Sequence, residues 1–155
     1  SMALEGKTVL LVHPFAATIR HQYTKRTLLF KDPRVLPEFQ LKTYKTIQSL
    51  AGNDTGFATW FDALDHMCSE IAAIDFDVAL IGAGAYGMSI ASRIKRMGKK
   101  AVHMGGITQL LFGIQGGRWD HIPQYSQNLY NEHWIRPLPE DRPNNYKTVE
   151  NGSYW

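Results

Sequence analysis

The stretch D-V-A-L-I-G-A-G-A-Y-G-M-S-I-A-S-R-I-K-R-M-G-K-K-A-V-H-M, residues 77–104, decides the fold. Residues 77–81 close on a short apolar run, too brief for a helix and suited to a buried strand. A glycine-rich turn follows, Gly82-Ala83-Gly84-Ala85-Tyr86-Gly87. Residues 85–97 then predict a helix: Ile90, Ala91, Ile94 and Met97 form an apolar stripe, and Arg93, Lys95 and Arg96 a wet side. Gly98 is a stop signal, and residues 100–104 predict a second strand. A strand, crossover helix and strand joined in this way place the two strands parallel in one sheet, by a right-handed connection.

The same alternation extends upstream. Residues 8–12 are apolar and partly β-branched, a buried strand ending at His13-Pro14. Residues 17–30 predict a basic helix carrying Arg20, Lys25 and Arg26, and residues 31–37, with two prolines, a loop. Residues 39–47 place Phe39, Leu41, Thr43, Lys45 and Ile47 on one side, the pattern of an edge strand. The strongest helical period runs through Phe57, Trp60, Phe61, Leu64, Met67, Cys68, Ile71 and Ile74, with Asn53, Asp54 and Thr55 as capping candidates. Downstream, residues 107–112 predict a short helix and residues 113–117 a flexible glycine loop. From His121 the chain is rich in Pro, Asn and Tyr. It predicts one or two short helices around residues 124–132 and an extended tail that packs by Tyr130, Trp134, Tyr146 and Trp155.

The expected fold is therefore α/β: a three-layer Rossmann-like domain with a mainly parallel sheet of about four to five strands and an irregular aromatic-rich C-terminal tail. Ser1-Met2-Ala3 reads as a cloning scar, residues 4–155 as a single domain, and residues 120–155 as a tail packed on it.

Composition narrows the partners. With 155 residues the chain is one domain's length. Lys and Arg number 17 against 14 Asp and Glu, a net charge of +3 that gives no electrostatic ground for a nucleic-acid partner. At 44% hydrophobic and 20% charged residues, disorder is excluded for most of the chain. Apolar runs such as residues 78–81 and 110–114 are far shorter than the ~20 residues that span a bilayer, so the chain is expected not to be transmembrane. One cysteine, Cys68, excludes a disulfide framework and a thiolate zinc cluster, and fits a reducing, cytoplasmic setting.

Residues 82–87 spell G-x-G-x-x-G between a strand and a helix, the context in which that motif lets backbone amides approach a phosphate. The alternative is a tight turn that binds nothing. A dinucleotide site also wants an acidic residue about 20 positions on; His103-Met104-Gly105-Gly106 stands there instead, which disfavours a dinucleotide-dependent oxidoreductase. His13, Gly82, Gly84, His103, Gly105 and Gly106 all fall at carboxyl ends of predicted strands and are expected to converge on one rim. His103 is the candidate acid or base there, or else a half-buried histidine satisfied by backbone. Arg118 and Trp119 stand behind the glycine loop as a candidate phosphate fork and stacking plane; the alternative is a surface arginine and a core-edge tryptophan. Asp75-Phe76-Asp77 precedes its strand and so lies at the opposite edge, which argues against a metal role, and no other metal-ligand cluster is apparent.

The runs I-G-A-G-A-Y-G (81–87), K-R-M-G-K-K-A-V-H-M-G-G (95–106) and T-Q-L-L-F-G-I-Q-G-G-R-W (108–119) resemble the C-terminal half of a bacterial polysaccharide-synthesis family that is similar to GT-D-type glycosyltransferases. V-H-P-F (12–15), L-P-E-F (36–39) and W-I-R-P (134–137) fit the same pattern, so the resemblance covers nearly the whole chain. It implies a half that binds a sugar nucleotide, with Gly82, Ala83, Gly84, Tyr86 and Gly87 against the diphosphate and no tightly bound cofactor. That family carries an acidic R-x-G-x-x-E motif in an upstream half, and nothing in this sequence matches it. The resemblance therefore implies an upstream N-terminal domain as partner, or else a module that binds nucleotide without catalysing.

Overall fold

Side-chain alternation along the first strand sets the layers. β1 (Thr8–Val12) sends Val9 and Leu11 to one face and Leu10 and Val12 to the other, and all four are fully buried. A strand buried on both sides needs cover on both sides. The computed structural model, which describes residues 1–49, 54–143 and 145–155, supplies it as a three-layer α/β Rossmann-like fold. β2 (Gln40–Tyr44), β3 (Val78–Ile81) and β4 (Lys100–His103) join β1 in a four-stranded sheet of order β2-β1-β3-β4, every pairing parallel. Val12 pairs with both Tyr44 and Ile81, and Ile81 pairs with His103. The carboxyl ends of all four strands are thus level, and the loops that follow them share one rim.

One face is covered by two regular helices. α3 (Trp60–Ala72) and α4 (Gly87–Arg96) lay Leu64, Met67, Ile71, Ile90 and Ile94 on Leu10, Val12, Ala79 and Ile81. The other face receives α1 (Ala16–Tyr23), α2 (Arg26–Leu29), α5 (Thr108–Leu111), α6 (Gly117–Asp120), α7 (Pro123–Ser126) and the irregular tail. Its core is aromatic: Phe15, Phe39, Phe112, Trp119, Trp134 and Trp155 are all buried on Val9, Leu11, Val78 and Leu80.

Several local expectations need correcting. The basic helix expected over residues 17–30 is two helices, broken at Thr24 and Lys25. The Thr24 hydroxyl donates to the His21 carbonyl at 2.7 Å, a local bond that competes with continuing the helix. The cap of α3 is Thr59, whose hydroxyl accepts from the Asp62 amide while the Asp62 carboxylate accepts from the Thr59 amide. Asp54 and Thr55 instead accept from Gly56 and Phe57 in the preceding turn, and Asn53 lies outside the described residues. Phe61 and Met97, expected in buried stripes, are exposed at 67% and 41%. Phe61 lies on the margin of the stripe in the first turn of α3, where Trp60 stacks on Tyr86 and takes the inner place. Met97 lies past the last residue of α4, at its cap. Among the described residues no helix is long and apolar enough to cross a membrane.

Candidate functional site

The level rim opens into a cleft of about 250 Å³. Each strand contributes the residues just after it: His13 after β1, Thr46 to Ser49 after β2, Gly82 to Tyr86 after β3, and Gly106 and Gln109 after β4. Ligands of open parallel sheets lodge at this edge, outside the carboxyl ends of the strands. The fourth wall is the tail: Val149, Glu150, Tyr154 and Trp155. Nothing in the sequence patterning signals that wall, because residues 145–155 form no periodic element and reach the rim only through tertiary packing.

The three glycines of the G-x-G-x-x-G turn have different jobs. A Cβ on Gly82 would lie 2.5 Å from the His13 ring and 2.7 Å from the Gly105 carbonyl oxygen. One on Gly87 would meet the His103 ring closer still. These two are glycine because the rim is packed tightly around them. Gly84 differs: its φ is +51° and a Cβ there would meet nothing within 4 Å. It turns the chain from β3 into the short helical turn Gly84–Tyr86 that leads into α4, beside open space within the cleft. The amides of Tyr86 and Gly87 already donate to the Ala83 and Gly84 carbonyls, so the donors this turn offers an anion are those at its own start, the amides of Gly84 and Ala85.

His13 is buried beneath the turn, and its Nδ1 accepts from the Phe15 amide at 3.0 Å. Burial in an apolar surround pulls its pKa down to about 3, against a smaller opposing pull from the carboxylate of Asp141. The ring is neutral at physiological pH. With Nδ1 occupied as an acceptor, the proton sits on Nε2, which makes that nitrogen a donor.

Of the residues singled out from sequence, His13, Gly82, Ala83, Gly84, Tyr86 and Gly106 line the cleft together. Gly87, His103, Gly105, Arg118 and Trp119 are not among its lining residues. His103 packs on Gly87 at the start of α4. Gly105, at φ +65°, forms the turn after β4, and its carbonyl accepts from the Thr108 hydroxyl. Trp119 is a core residue, edge-on to Tyr154 with centroids 6.1 Å apart. Arg118 faces outward, donating to the Tyr154 hydroxyl at 2.6 Å and the Glu150 carboxylate at 3.0 Å. It therefore braces two wall residues from behind. The glycines expected to make residues 113–117 flexible serve close packing instead. Gly113, at φ +64°, lies against Leu29, Ile114 is fully buried and bridges Ile135, and Gly116 lies against Gln109 and Trp119.

Two features escape sequence reasoning altogether. Asp141, buried in the tail, accepts from the amide and hydroxyl of Thr18 at 2.7 and 2.8 Å and pairs with Lys45 at 3.1 Å. The Thr18 hydroxyl in turn accepts from the Leu138 amide. This network fastens the tail to α1 and β2. The second is Gln109, fully buried at the cleft, whose Nε2 faces the carbonyls of Ile114, Gln115 and Tyr154. The Asp75-Phe76-Asp77 run lies at the far edge of the sheet, where Asp77 accepts from the Thr8 amide at 2.7 Å. Among the described residues no three His, Cys, Asp or Glu side chains are grouped to hold a metal. Set against protein-family models, curated proteins and solved structures, the chain finds no match, so the chemistry of the cleft rests on its own residues.

Proposed function

We propose that this chain binds a sugar nucleotide across the carboxyl rim of its sheet, as the donor-binding half of a glycosyltransferase-like protein. The diphosphate would sit at the amides of Gly84 and Ala85, which open the turn leading into α4, with the rings against the tail aromatics Tyr154 and Trp155. The observation that carries this reading is Gly84. It is the one glycine of the turn at which an added Cβ would meet nothing within 4 Å, it lines the cleft, and it opens the helical turn Gly84–Tyr86. Oriented amides at such a start favour phosphate without needing a lysine or arginine. A volume of about 250 Å³ encloses only part of such a ligand, because small-molecule sites run to roughly 300–1,000 Å³; the remainder would extend over the open rim.

A second reading, a module that binds nucleotide without catalysing, is favoured by a different observation. Among the described residues of the lining, the carboxylate is that of Glu150, which Arg118 engages, and the histidine is His13, held neutral by burial. Neither is a free general base. The test is a thermal-shift and calorimetric panel of UDP-, GDP- and dTDP-sugars with NAD alongside. Binding of a sugar nucleotide that Gly84→Val abolishes, in a variant that still melts cooperatively, is the expected result. A response to NAD alone would defeat the proposal. Turnover on adding an upstream acidic half would separate the transferase from the binding module.

A further inference from the structure

Three successive residues in the fourth wall of the cleft have left-handed backbone: Glu150 at φ +46°, Asn151 at +55° and Gly152 at +75°. Glycine adopts that conformation freely and asparagine tolerates it, but glutamate does not favour it, and such residues normally occur singly rather than in succession. Among the described residues, Glu150 and Asn151 are the only non-glycine residues at positive φ. Strain of this kind persists where the surroundings over-determine it, and it gathers at ligand sites. Arg118 supplies those surroundings. Its amide donates to the Ser153 carbonyl at 2.7 Å, and its guanidinium to the Tyr154 hydroxyl at 2.6 Å and to Glu150 Oε2 at 3.0 Å. The Ser153 hydroxyl donates to the same oxygen at 3.2 Å. Glu150 Oε1 receives no donor among the described residues. Glu150 lines the cleft, and its side chain is 53% exposed.

An exposed ion pair adds little to stability, so the pairing with Arg118 does not by itself explain a glutamate at a strained position. What the bracket does is hold one carboxylate oxygen and leave the other open to a donor. We infer that Glu150 is a recognition residue for the ligand, its Oε1 accepting from a hydroxyl of a sugar ring. A carboxylate repels a phosphate and accepts strongly from a hydroxyl. Tyr154 and Trp155, which line the cleft with it, give the ring an aromatic surface. Ribose and the transferred sugar both present this chemistry. The inference rests on the sugar-nucleotide reading and assigns the other end of that ligand: diphosphate at the amides of Gly84 and Ala85, sugar hydroxyl at Glu150.

The experiment measures melting and binding of the full chain with the sugar nucleotide that the panel selects, its nucleoside diphosphate, its dideoxyribose analogue, and inorganic pyrophosphate. Glu150→Gly suits the left-handed turn and removes the carboxylate. It should melt close to the wild type and bind the sugar nucleotide about tenfold more weakly, the scale of one hydrogen bond to a charged group. Pyrophosphate affinity should not fall. Asn151→Gly relieves the neighbouring residue in the same way and should leave every affinity unchanged. In the wild type, removing either the sugar or the ribose hydroxyls should cost a similar factor, and the one whose cost disappears in Glu150→Gly names the ring. Unchanged sugar-nucleotide affinity in Glu150→Gly overturns the inference while leaving the sugar-nucleotide reading intact. A loss that Asn151→Gly shares, or that extends to pyrophosphate, makes the role of the turn structural and overturns it too. Should Glu150→Gly fail to fold, Glu150→Gln takes its place with the same outcomes, and equal wild-type affinity for all three nucleotides overturns the inference without any variant. Failure of every sugar nucleotide to bind overturns the reading itself, and this inference with it.

Discussion

The two faces of the sheet solve the same burial problem with different materials. One is covered by α3 and α4, regular helices with aliphatic stripes on Leu10, Val12, Ala79 and Ile81. The other is covered by short helices and a tail whose rings interlock: Phe30 with Trp134, Tyr130 with Trp134, Phe15 with Trp155, Tyr146 with Trp155. A helix satisfies its own backbone and needs only an apolar stripe to dock. An irregular segment must satisfy its backbone and polar tips one by one. The tail does so through Trp134 Nε1 on the Leu29 carbonyl, Gln22 on the Gly113 and His133 carbonyls, and Asp141 on Thr18. The irregular face is therefore more specific and less forgiving, and it is the one that walls the cleft.

The sharpest way to break this contrast is to remove one ring. Trp134→Ala should cost about 3–5 kcal/mol by urea denaturation, since it deletes a buried indole together with its bond to Leu29. Ile94→Val on the helical face should cost only about 0.5–1.5 kcal/mol. Next in size is Asp141→Ala, expected to lose about 1.5–3 kcal/mol, the range for hydrogen bonds to a charged group, and to make residues 145–155 cleavable by protease before global unfolding. A loss below about 0.5 kcal/mol would mean that the rings alone hold the tail.

A pH series sharpens the comparison from a third direction. Folded His13 stays neutral down to about pH 3, whereas the unfolded chain takes up a proton below its ordinary value of 6.5. This contribution to stability is complete above pH 6.5 and is lost as the pH falls from there toward 3, at up to about 1.4 kcal/mol per pH unit. His13→Gln, which keeps an acceptor for the Phe15 amide, should flatten that limb. The smallest effect is expected at Phe61→Ser, within about 0.5 kcal/mol, because that ring is mostly in solvent; a larger loss would place it in a contact that the helical face hides.

The same contrast explains what could be read in advance. The β3-turn-α4-β4 unit is legible because strand and helix periods are local, and so is the edge position of β2, whose mixed polar and apolar residues all stay at least partly exposed. The level rim follows from parallel pairing, which is why His13, Gly82, Gly84 and Gly106 meet. Phe61 stands outside the buried stripe because periodicity assigns a stripe without saying where the stripe runs off its neighbour. Arg118 and Trp119 follow the alternative that the sequence leaves open, a surface arginine and a core-edge tryptophan, because the chain turns Trp119 into the core and Arg118 outward. Asp141, Gln109 and Tyr154 lie more than 20 residues beyond Gly87, the end of the glycine turn, and no short-range pattern links them to it.

The wall formed by residues 149–155 also sets an order of events. The last strand of the sheet ends at His103, so all four strands emerge from a ribosome about fifty residues before Trp155 does. At roughly 5–20 residues per second, that interval is several seconds. During it the aliphatic side can close over its face of the sheet, while the aromatic side waits for contacts that span more than a hundred residues, such as Thr18 to Asp141. A nascent chain would thus be folded on one side before its cleft had a fourth wall. Of the cleft's walls, the one formed by residues 149–155 is then the last to be put in place.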